Sequence, residues 1–220
     1  MTKTISRSAI TVIAAVITVA LILGVTIWIF PVLSSPTVDS SWWIVTNNED
    51  VYNNWCVGQI KGNFGGKLVD ISDTTVDWNS IGQNIIVAGG SSSLSDVAPW
   101  VQIWFPMSTM QKPSTFPGAY WDRTGGVSDE YVVTPINAYQ WTPNTDYGLI
   151  VRGYDYGLRR WVIVIIGGTA QCSATGAKYV IDNDGKFDSN YVVYLCTVKP
   201  QDDVSKWKMT DFGYSEVESG

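Results

Sequence analysis

Residues 161–181, WVIVIIGGTAQCSATGAKYVI, decide the fold class. The run Trp161–Ile166 is apolar at every position rather than at alternate positions, which is typical of a strand buried on both faces of a sheet. Gly167 and Gly168 follow this run, and the segment Ser173–Asp182 has apolar residues at helical spacing. A buried strand, a glycine turn and a helix are typical of α/β proteins, so the sequence predicts an α/β fold.

A second unit of the same kind lies earlier in the chain. Ile85–Ala88 is apolar throughout, Gly89 and Gly90 follow it, and a helix with Ser95 or Asp96 as its N-cap is expected next. The apolar face of this helix is formed by Leu94, Val97, Trp100, Val101 and Trp104. Further strands are predicted at Trp42–Thr46, Lys67–Ile71, Glu130–Thr134, Tyr147–Arg152 and Asn190–Val198. We therefore expect a mixed, partly parallel sheet, and the alternative is a mainly β sandwich.

The N-terminal region has the properties of a membrane-spanning segment. No residue from Ser8 to Val38 is charged, and residues 9–33 are almost continuously apolar. A helix of that length covers the hydrocarbon core of a bilayer, which is about 30 Å thick. It is also longer than the apolar part of a signal peptide, which has about 7–15 residues. Residues 9–33 are therefore predicted to form an uncleaved transmembrane helix that anchors the chain in the cell membrane.

The charges around this segment predict its orientation. Two basic residues lie in residues 1–8, whereas the first charged residue after the span is Asp39. The positive-inside rule places this basic leader in the cytoplasm. Residues 34–41, which include four serines and one proline, are expected to be a linker, and residues 42–220 to be one extracellular domain.

Small residues recur in the predicted span at a spacing of four. The pairs are Thr11 with Ala15, Ala14 with Thr18, and Ala20 with Gly24. Such spacing permits two membrane helices to pack closely, which would make the span a contact with other chains. The same pairs also arise by chance in an apolar stretch of this length, so both interpretations stay open.

The composition excludes several classes of function. The 220 residues include no histidine, which excludes Ser-His-Asp and Cys-His nucleophile pairs and every metal site built on imidazole. The net charge is −6, and because Lys3 and Arg7 are the only charged residues before Asp39 it falls to −8 for residues 39–220. Nucleic acid is therefore not an expected partner. The sequence predicts no catalytic residue, no cofactor and no metal ligand.

Aromatic residues are in surplus. They make up 13% of the chain, with 11 tryptophans, while charged residues make up only 15%. More tryptophan lies outside the predicted span than a core of this size needs, so some is expected to contact other proteins. The expected partners are the membrane, through a single span, and other protein chains, through that span and the aromatic-rich exterior domain.

The cysteines are Cys56, Cys172 and Cys196, and none of them has the spacing of a metal site. Outside the cell, one disulfide and one remaining thiol are expected. Cys172 and Cys196 are the candidate pair, because the first follows a predicted strand and the second lies within the next one. Buried unpaired cysteines are the alternative.

The two glycine turns are possible ligand sites. Gly89-Gly90 and Gly167-Gly168 each stand between a buried strand and a helix, where α/β proteins cradle phosphates. Neither turn is a GxGxxG motif or a P-loop, and small residues also let a strand and a helix approach closely. Close packing is the preferred interpretation, and ligand binding is the alternative.

A group of carboxylates and aromatic rings that are close in sequence indicates a different class of function, glycan binding or glycan cleavage. These residues are Asp122, Asp129, Glu130, Asp146 and Asp155, with Trp121, Tyr131, Trp141 and Tyr154 among them. Solvated loop charges explain the same grouping and are the preferred interpretation.

Two segments carry a resemblance to a known class of protein. Residues 84–90 (NIIVAGG) and 146–181 (DYGLIVRGYDYGLRRWVIVIIGGTAQCSATGAKYVI) resemble segments of archaeal cell-envelope proteins, including surface-layer proteins. In that family a strand and Gly-Gly open one unit, and a later DYG strand leads to a hydrophobic strand, a glycine turn and an alanine-rich helix. The resemblance implies an exterior, Rossmann-like domain with a structural role and no established catalytic residues.

A second, weaker resemblance concerns the N-terminus. The short basic leader from Lys3 to Arg7 and the long apolar helix after it are similar to archaeal type IV pilin precursors. Such precursors are cut just before the apolar stretch, here around Arg7–Ala9, and their helices then pack as the core of a filament.

The leading hypothesis is a membrane-anchored cell-surface protein that is a structural or interaction subunit of a larger envelope assembly and performs no catalysis. A pilin-like filament subunit is the first alternative. A glycan-binding or glycan-cleaving ectodomain is the second.

Overall fold

The computed structural model describes residue 18 and a set of ranges in the rest of the chain. They are residues 36–47, 50–70, 75–77, 82–90, 107–108, 119–122, 129–155 and 157–220. The chain divides into a unit of residues 1–35 and a unit of residues 36–220, and the fold below is that of the second unit. Of the predicted span at residues 9–33, only Thr18 is described, and it is helical and exposed. Within the described ranges, no helix is both long enough and apolar enough to cross a bilayer.

Eleven strands and two α-helices lie in the described residues. The strands are β1 (Trp43–Thr46), β2 (Lys67–Asp70), β3 (Ile85–Gly90), β4 (Met107–Ser108), β5 (Tyr120–Asp122), β6 (Tyr131–Val133), β7 (Ala138–Gln140), β8 (Tyr147–Asp155), β9 (Arg160–Gly167), β10 (Tyr191–Val198) and β11 (Gly213–Ser219). The helices are α1 (Val51–Phe64) and α2 (Ala170–Asp182). Two 3₁₀ helices, Val204–Lys206 and Met209–Asp211, precede the last strand.

Seven of the described strands form the main sheet, in the order β11-β10-β8-β9-β3-β1-β2. The four strands β2, β1, β3 and β9 run parallel to one another. β8, β10 and β11 then alternate in direction, so β10 runs the same way as β9. This mixed, partly parallel sheet with its helices confirms the predicted α/β fold, and a mainly β sandwich does not describe it.

Both helices pack on one face of the main sheet. α1 begins after Asp50, whose carboxylate accepts hydrogen bonds from the N–H groups of Tyr52 (2.9 Å) and Asn53 (3.1 Å). α2 begins after Thr169, whose hydroxyl accepts one from the N–H of Cys172 (3.2 Å). The first core lies between the helices and the sheet, and it includes side chains of β1, β3, β8, β9 and β10.

A smaller sheet, in the order β4-β5-β6-β7, covers the other face of the main sheet. Trp121 of β5 and Val132 of β6 are buried there against the main-sheet residues Leu149, Val162 and Val164. The central strands β3, β8 and β9 are therefore covered on both faces, which explains why Trp161–Ile166 is apolar at every position.

Each of the seven predicted strands corresponds to a strand of the structure, while the helices differ more. α1 was not predicted, and α2 begins three residues before the predicted start at Ser173 because Thr169 caps it. The helix expected after Gly90 lies outside the described residues. In the segment predicted as a linker, Val38 is buried, and its N–H donates to the carbonyl of Gly185 (2.9 Å).

Candidate functional site

The carboxyl edge of the main sheet is where this fold would hold a ligand. We use this name for the edge formed by the last residues of β1, β3, β9 and β10 and by the residues just before β8. In the sheet, β1 lies between β2 and β3. From β1 the chain continues through α1 to β2 on one side of β1, whereas β3 and then β9 lie on its other side. Open α/β sheets bind ligands in the crevice at such a switch point between strands.

Asn53 of α1 bridges the switch point between β1 and β3. Its side-chain carbonyl accepts hydrogen bonds from the N–H of Asn47 (2.7 Å) and from the hydroxyl of Thr46 (3.3 Å). Its amide group donates to the carbonyl of Ala88 in β3. One buried side chain therefore occupies the space between the two strand ends that a ligand would otherwise take.

The backbone at Gly89 and Gly167 packs directly against the first turn of α2. The hydroxyl of Ser173 donates to the carbonyl of Gly89 (2.9 Å). A Cβ atom at Gly167 would overlap the backbone nitrogen of Ser173. Gly90, the last residue of β3, pairs in register with Gly167, and residues 91–106 that follow it are outside the described part of the chain. At this turn the contacts favour close packing as the reason for glycine.

Gly168 lies under the indole ring of Trp141. A Cβ atom at Gly168 would overlap the ring atoms Nε1 and Cδ1 and would approach the Asp146 carboxylate to 2.9 Å. The N-terminus of α2 is thus covered by an aromatic ring and capped by Thr169, so this glycine turn is not an open cradle for a phosphate.

A buried carboxylate organises the polar groups around this turn. Asp146, only 1% exposed, accepts hydrogen bonds from the indole N–H of Trp141 (2.8 Å) and from the hydroxyl of Thr169. The ammonium group of Lys199, just beyond β10, lies 2.6 Å from the second carboxylate oxygen. The carboxylate therefore connects the segment before β8, the start of α2 and the end of β10.

All three cysteines are buried free thiols in the structure. Cys172 in α2 and Cys196 in β10 are neighbours that both contact the backbone carbonyl of Asp146, whereas Cys56 lies on α1. The disulfide predicted for Cys172 and Cys196 is not formed, although the fold brings the two predicted residues together.

The carboxylates considered for glycan chemistry are mostly buried and held by internal partners. Glu130 accepts a hydrogen bond from the indole N–H of Trp121 (2.6 Å), and Asp155 is paired with Arg160 (3.4 Å). Asp146 has the partners given above. These groups support the fold rather than line a groove, and no set of three metal-binding side chains is found among the residues that the structure covers.

A separate polar cluster joins the last strand to the smaller sheet. The carboxylate of Glu218 accepts hydrogen bonds from Asn137 (2.9 Å), Tyr139 (2.7 Å) and Tyr191 (2.7 Å). Burial alone would raise the pKa of Glu218, but these hydrogen bonds outweigh it and lower the pKa to about 2.

The depressed pKa of Glu218 predicts a pH-dependent contribution to stability. The ionised form is favoured in the folded state, so its contribution is present above the ordinary pKa and is lost as the pH falls toward 2. Because the side chain is partly exposed and water screens its charge, we expect Glu218→Gln to cost about 1 kcal/mol at pH 7 and almost nothing at pH 2. Thermal unfolding of both proteins across this pH range measures the difference, and a constant difference would contradict the assignment.

The sequence was also compared with known proteins. No protein-family model matches it, and no curated protein is significantly similar to it.

Three groups at the carboxyl edge were missed by sequence reasoning: Asn53, Trp141 as a cover over Gly168, and Lys199. Each of these side chains contacts a residue of another element, and no pattern in the neighbouring sequence indicates that contact. Of the residues predicted as a helix-packing face, Thr11, Ala14, Ala15, Ala20 and Gly24 lie outside the described part of the chain.

Proposed function

We propose that this protein is a membrane-anchored cell-surface subunit whose exterior α/β domain has a structural and interaction role in a larger envelope assembly, without catalysis. The observation that carries the proposal is the filled carboxyl edge. Asn53, Trp141 and Ser173 occupy the places where a related fold would hold a ligand. The apolar, uncharged stretch at residues 9–33 supports the anchor, with the N-terminus in the cytoplasm.

Exposed apolar side chains supply contact points for other chains. Ile136, at the turn between β6 and β7, is 75% exposed, the largest exposed fraction among the large apolar side chains of the described residues. Val51 at the start of α1 and Val198 at the end of β10 are 57% and 55% exposed, and both lie at the carboxyl edge. A large apolar side chain at the tip of a turn is suited to insert into a partner.

Replacing Ile136 by glutamate tests this contact. We expect the fraction of protein in the native assembly to fall about tenfold, because a charge at the centre of an apolar contact must be desolvated. The thermal unfolding temperature is expected to stay unchanged, since the side chain has few contacts within the chain. The matched control is Asn144→Glu, which adds the same charge at another exposed turn. Equal assembly of both variants would exclude Ile136 as a contact residue.

The proposed function is tested on the natural membrane. The protein extracted in mild detergent is expected to migrate as part of a complex on native gels, and its intact mass is expected to include residues 1–8. A protein that is monomeric under all extraction conditions would contradict the assembly role. Loss of the first seven or eight residues, around Arg7–Ala9, would instead identify a processed, pilin-like filament subunit.

A further inference from the structure

Cys172 and Cys196 lie next to each other between α2 and β10. The Cys172 sulfur lies 3.7 Å from the carbonyl oxygen of Asp146, and the same oxygen accepts a hydrogen bond from the backbone N–H of Cys196 (2.9 Å). The hydroxyl of Thr175, one turn beyond Cys172 on α2, lies 3.0 Å from the Cys196 sulfur. Contacts with the same carbonyl place the two cysteines side by side, which is the proximity that a disulfide between them requires.

The two thiols differ in their access to solvent. Cys172 is 0% exposed, whereas Cys196 is 8% exposed and its sulfur lies 3.6 Å from the carbonyl of Val198. Val198 and Lys199 line a surface pocket of about 430 Å³ that Trp207 also borders. A small molecule in this pocket would therefore approach Cys196 first.

The chemical state of the thiols also differs. Burial raises the pKa of Cys172, and the neighbouring Cys196 adds to that effect. Its neighbour Cys172 and its contact with the hydroxyl of Thr175 lower the pKa of Cys196. Because the thiolate is the attacking species in disulfide exchange, Cys196 is the better nucleophile of the pair.

We propose that Cys172 and Cys196 are a redox-active pair that closes to a disulfide by exchange with a low-molecular-weight disulfide, with Cys196 attacking first. The Cys196 thiolate attacks one sulfur of the small disulfide and releases one thiol, which leaves a mixed disulfide on Cys196. The Cys172 sulfur, after losing its proton, attacks the Cys196 sulfur and releases the second thiol. The protein loses two electrons and two protons, and the small disulfide gains them as two thiols.

The closed disulfide would tie the start of α2 to the end of β10. The loop that it closes, residues 172–196, contains the turn between helix and strand, so the bond restricts the unfolded chain. Cys56 is 1% exposed, burial raises the pKa of its thiol, and it takes no part. The inference rests on the thiol geometry and is independent of the proposed function.

The test uses the full chain in detergent, incubated with oxidised glutathione and then acidified to stop exchange. Alkylation under denaturing conditions followed by mass spectrometry counts the remaining thiols. We expect one alkylated cysteine, Cys56, after oxidation and three after reduction. The oxidised protein is expected to unfold about 5–10 °C higher than the reduced protein. Three alkylated cysteines after oxidation, or a disulfide that includes Cys56, would overturn the pairing.

Two variants and a control test the order of attack. Cys172→Ser removes the resolving thiol and is expected to retain one glutathione on Cys196. Cys196→Ser is expected to retain none, because Cys172 is inaccessible. Cys56→Ser is the matched control and is expected to close the disulfide fully, with no alkylated cysteine. Equal adducts in the two pair variants, or adducts on Cys56, would contradict the order, while the thiol count of the unmodified chain decides the pairing independently.

Discussion

Replacing Asp146 by alanine is expected to lower the free energy of unfolding by about 3–5 kcal/mol, the range for removing one partner of a buried charged network. The indole N–H of Trp141 and the hydroxyl of Thr169 would lose their acceptor in a place that excludes water. The ammonium group of Lys199 would lose its partner as well, although this side chain is partly exposed and can turn to solvent. The loss therefore comes mainly from the two neutral donors and from the cavity that remains.

The measurement is chemical or thermal unfolding of the full chain in detergent, followed by tryptophan fluorescence. Asp203→Asn is the matched control, since Asp203 forms an exposed ion pair with Lys206 and its replacement is expected to leave stability unchanged. A loss below about 1 kcal/mol for Asp146→Ala would mean that water reaches the carboxyl edge, and the edge would then be open to a ligand.

Replacing Gly167 by alanine is expected to destabilise the domain by about 3 kcal/mol, the upper part of the range for over-packing a core. The added methyl group would overlap the backbone nitrogen of Ser173, and it would also lie 2.7 Å from the carbonyl carbon of Cys172. Backbone atoms cannot move aside as a flexible side chain can. The first turn of α2 must therefore shift away from β9, and the hydrogen bond from Ser173 to Gly89 is lost with it.

Gly62→Ala on α1 is the control for this substitution. A Cβ atom at Gly62 meets nothing within 4 Å, and the residue is exposed in the last turn of α1. Alanine there is expected to stabilise the domain by about 0.5–1 kcal/mol, because it restricts the unfolded chain more than glycine does. If Gly167→Ala and Gly62→Ala had the same effect on stability, the close approach of α2 to the sheet would be wrong.

The combined results bear directly on the role of the carboxyl edge. In an α/β domain that binds a ligand at this edge, the glycines of the turn leave room for the ligand. Substitutions of these glycines are then expected to weaken ligand binding more than they lower the stability of the domain. Here the expected losses are in stability, since the chain itself fills the space. Stability measurements on these variants therefore distinguish a carboxyl edge filled by the chain itself from an open ligand site. They can be made without knowing a ligand.

The fold class could be predicted from the sequence because a strand that is buried on both faces is apolar at consecutive positions. Ile85–Ala88 and Trp161–Ile166 are apolar without alternation, and both are central strands of the main sheet, paired with each other in parallel. The glycines after them were also readable as positions of close approach. These signals are local, so strand position and character followed from short windows of sequence.

The helix α1 has a much weaker hydrophobic pattern in the sequence. Its buried residues, among them Asn53, Cys56 and Ile60, include a polar side chain, and the exposed Gly58 and Gly62 interrupt its pattern. Val51, an apolar residue, is exposed at its first position. Asp50 is the N-cap in the structure, but a cap alone does not identify a helix whose apolar face is broken by glycine and asparagine.

By itself, the sequence determined the α/β class, the positions of seven of the eleven described strands, the absence of histidine chemistry and the apolar N-terminal stretch, because each depends on residues near one another in the chain. Only the tertiary structure decided that Asn53 reaches Ala88 and that Ser173 reaches Gly89, contacts that join residues 35 and 84 positions apart. It also decided that Cys172 meets Cys196 beside Asp146. The physical reason is that strand order and helix placement are set by packing across the whole domain, and no local pattern encodes which distant side chain fills a given space.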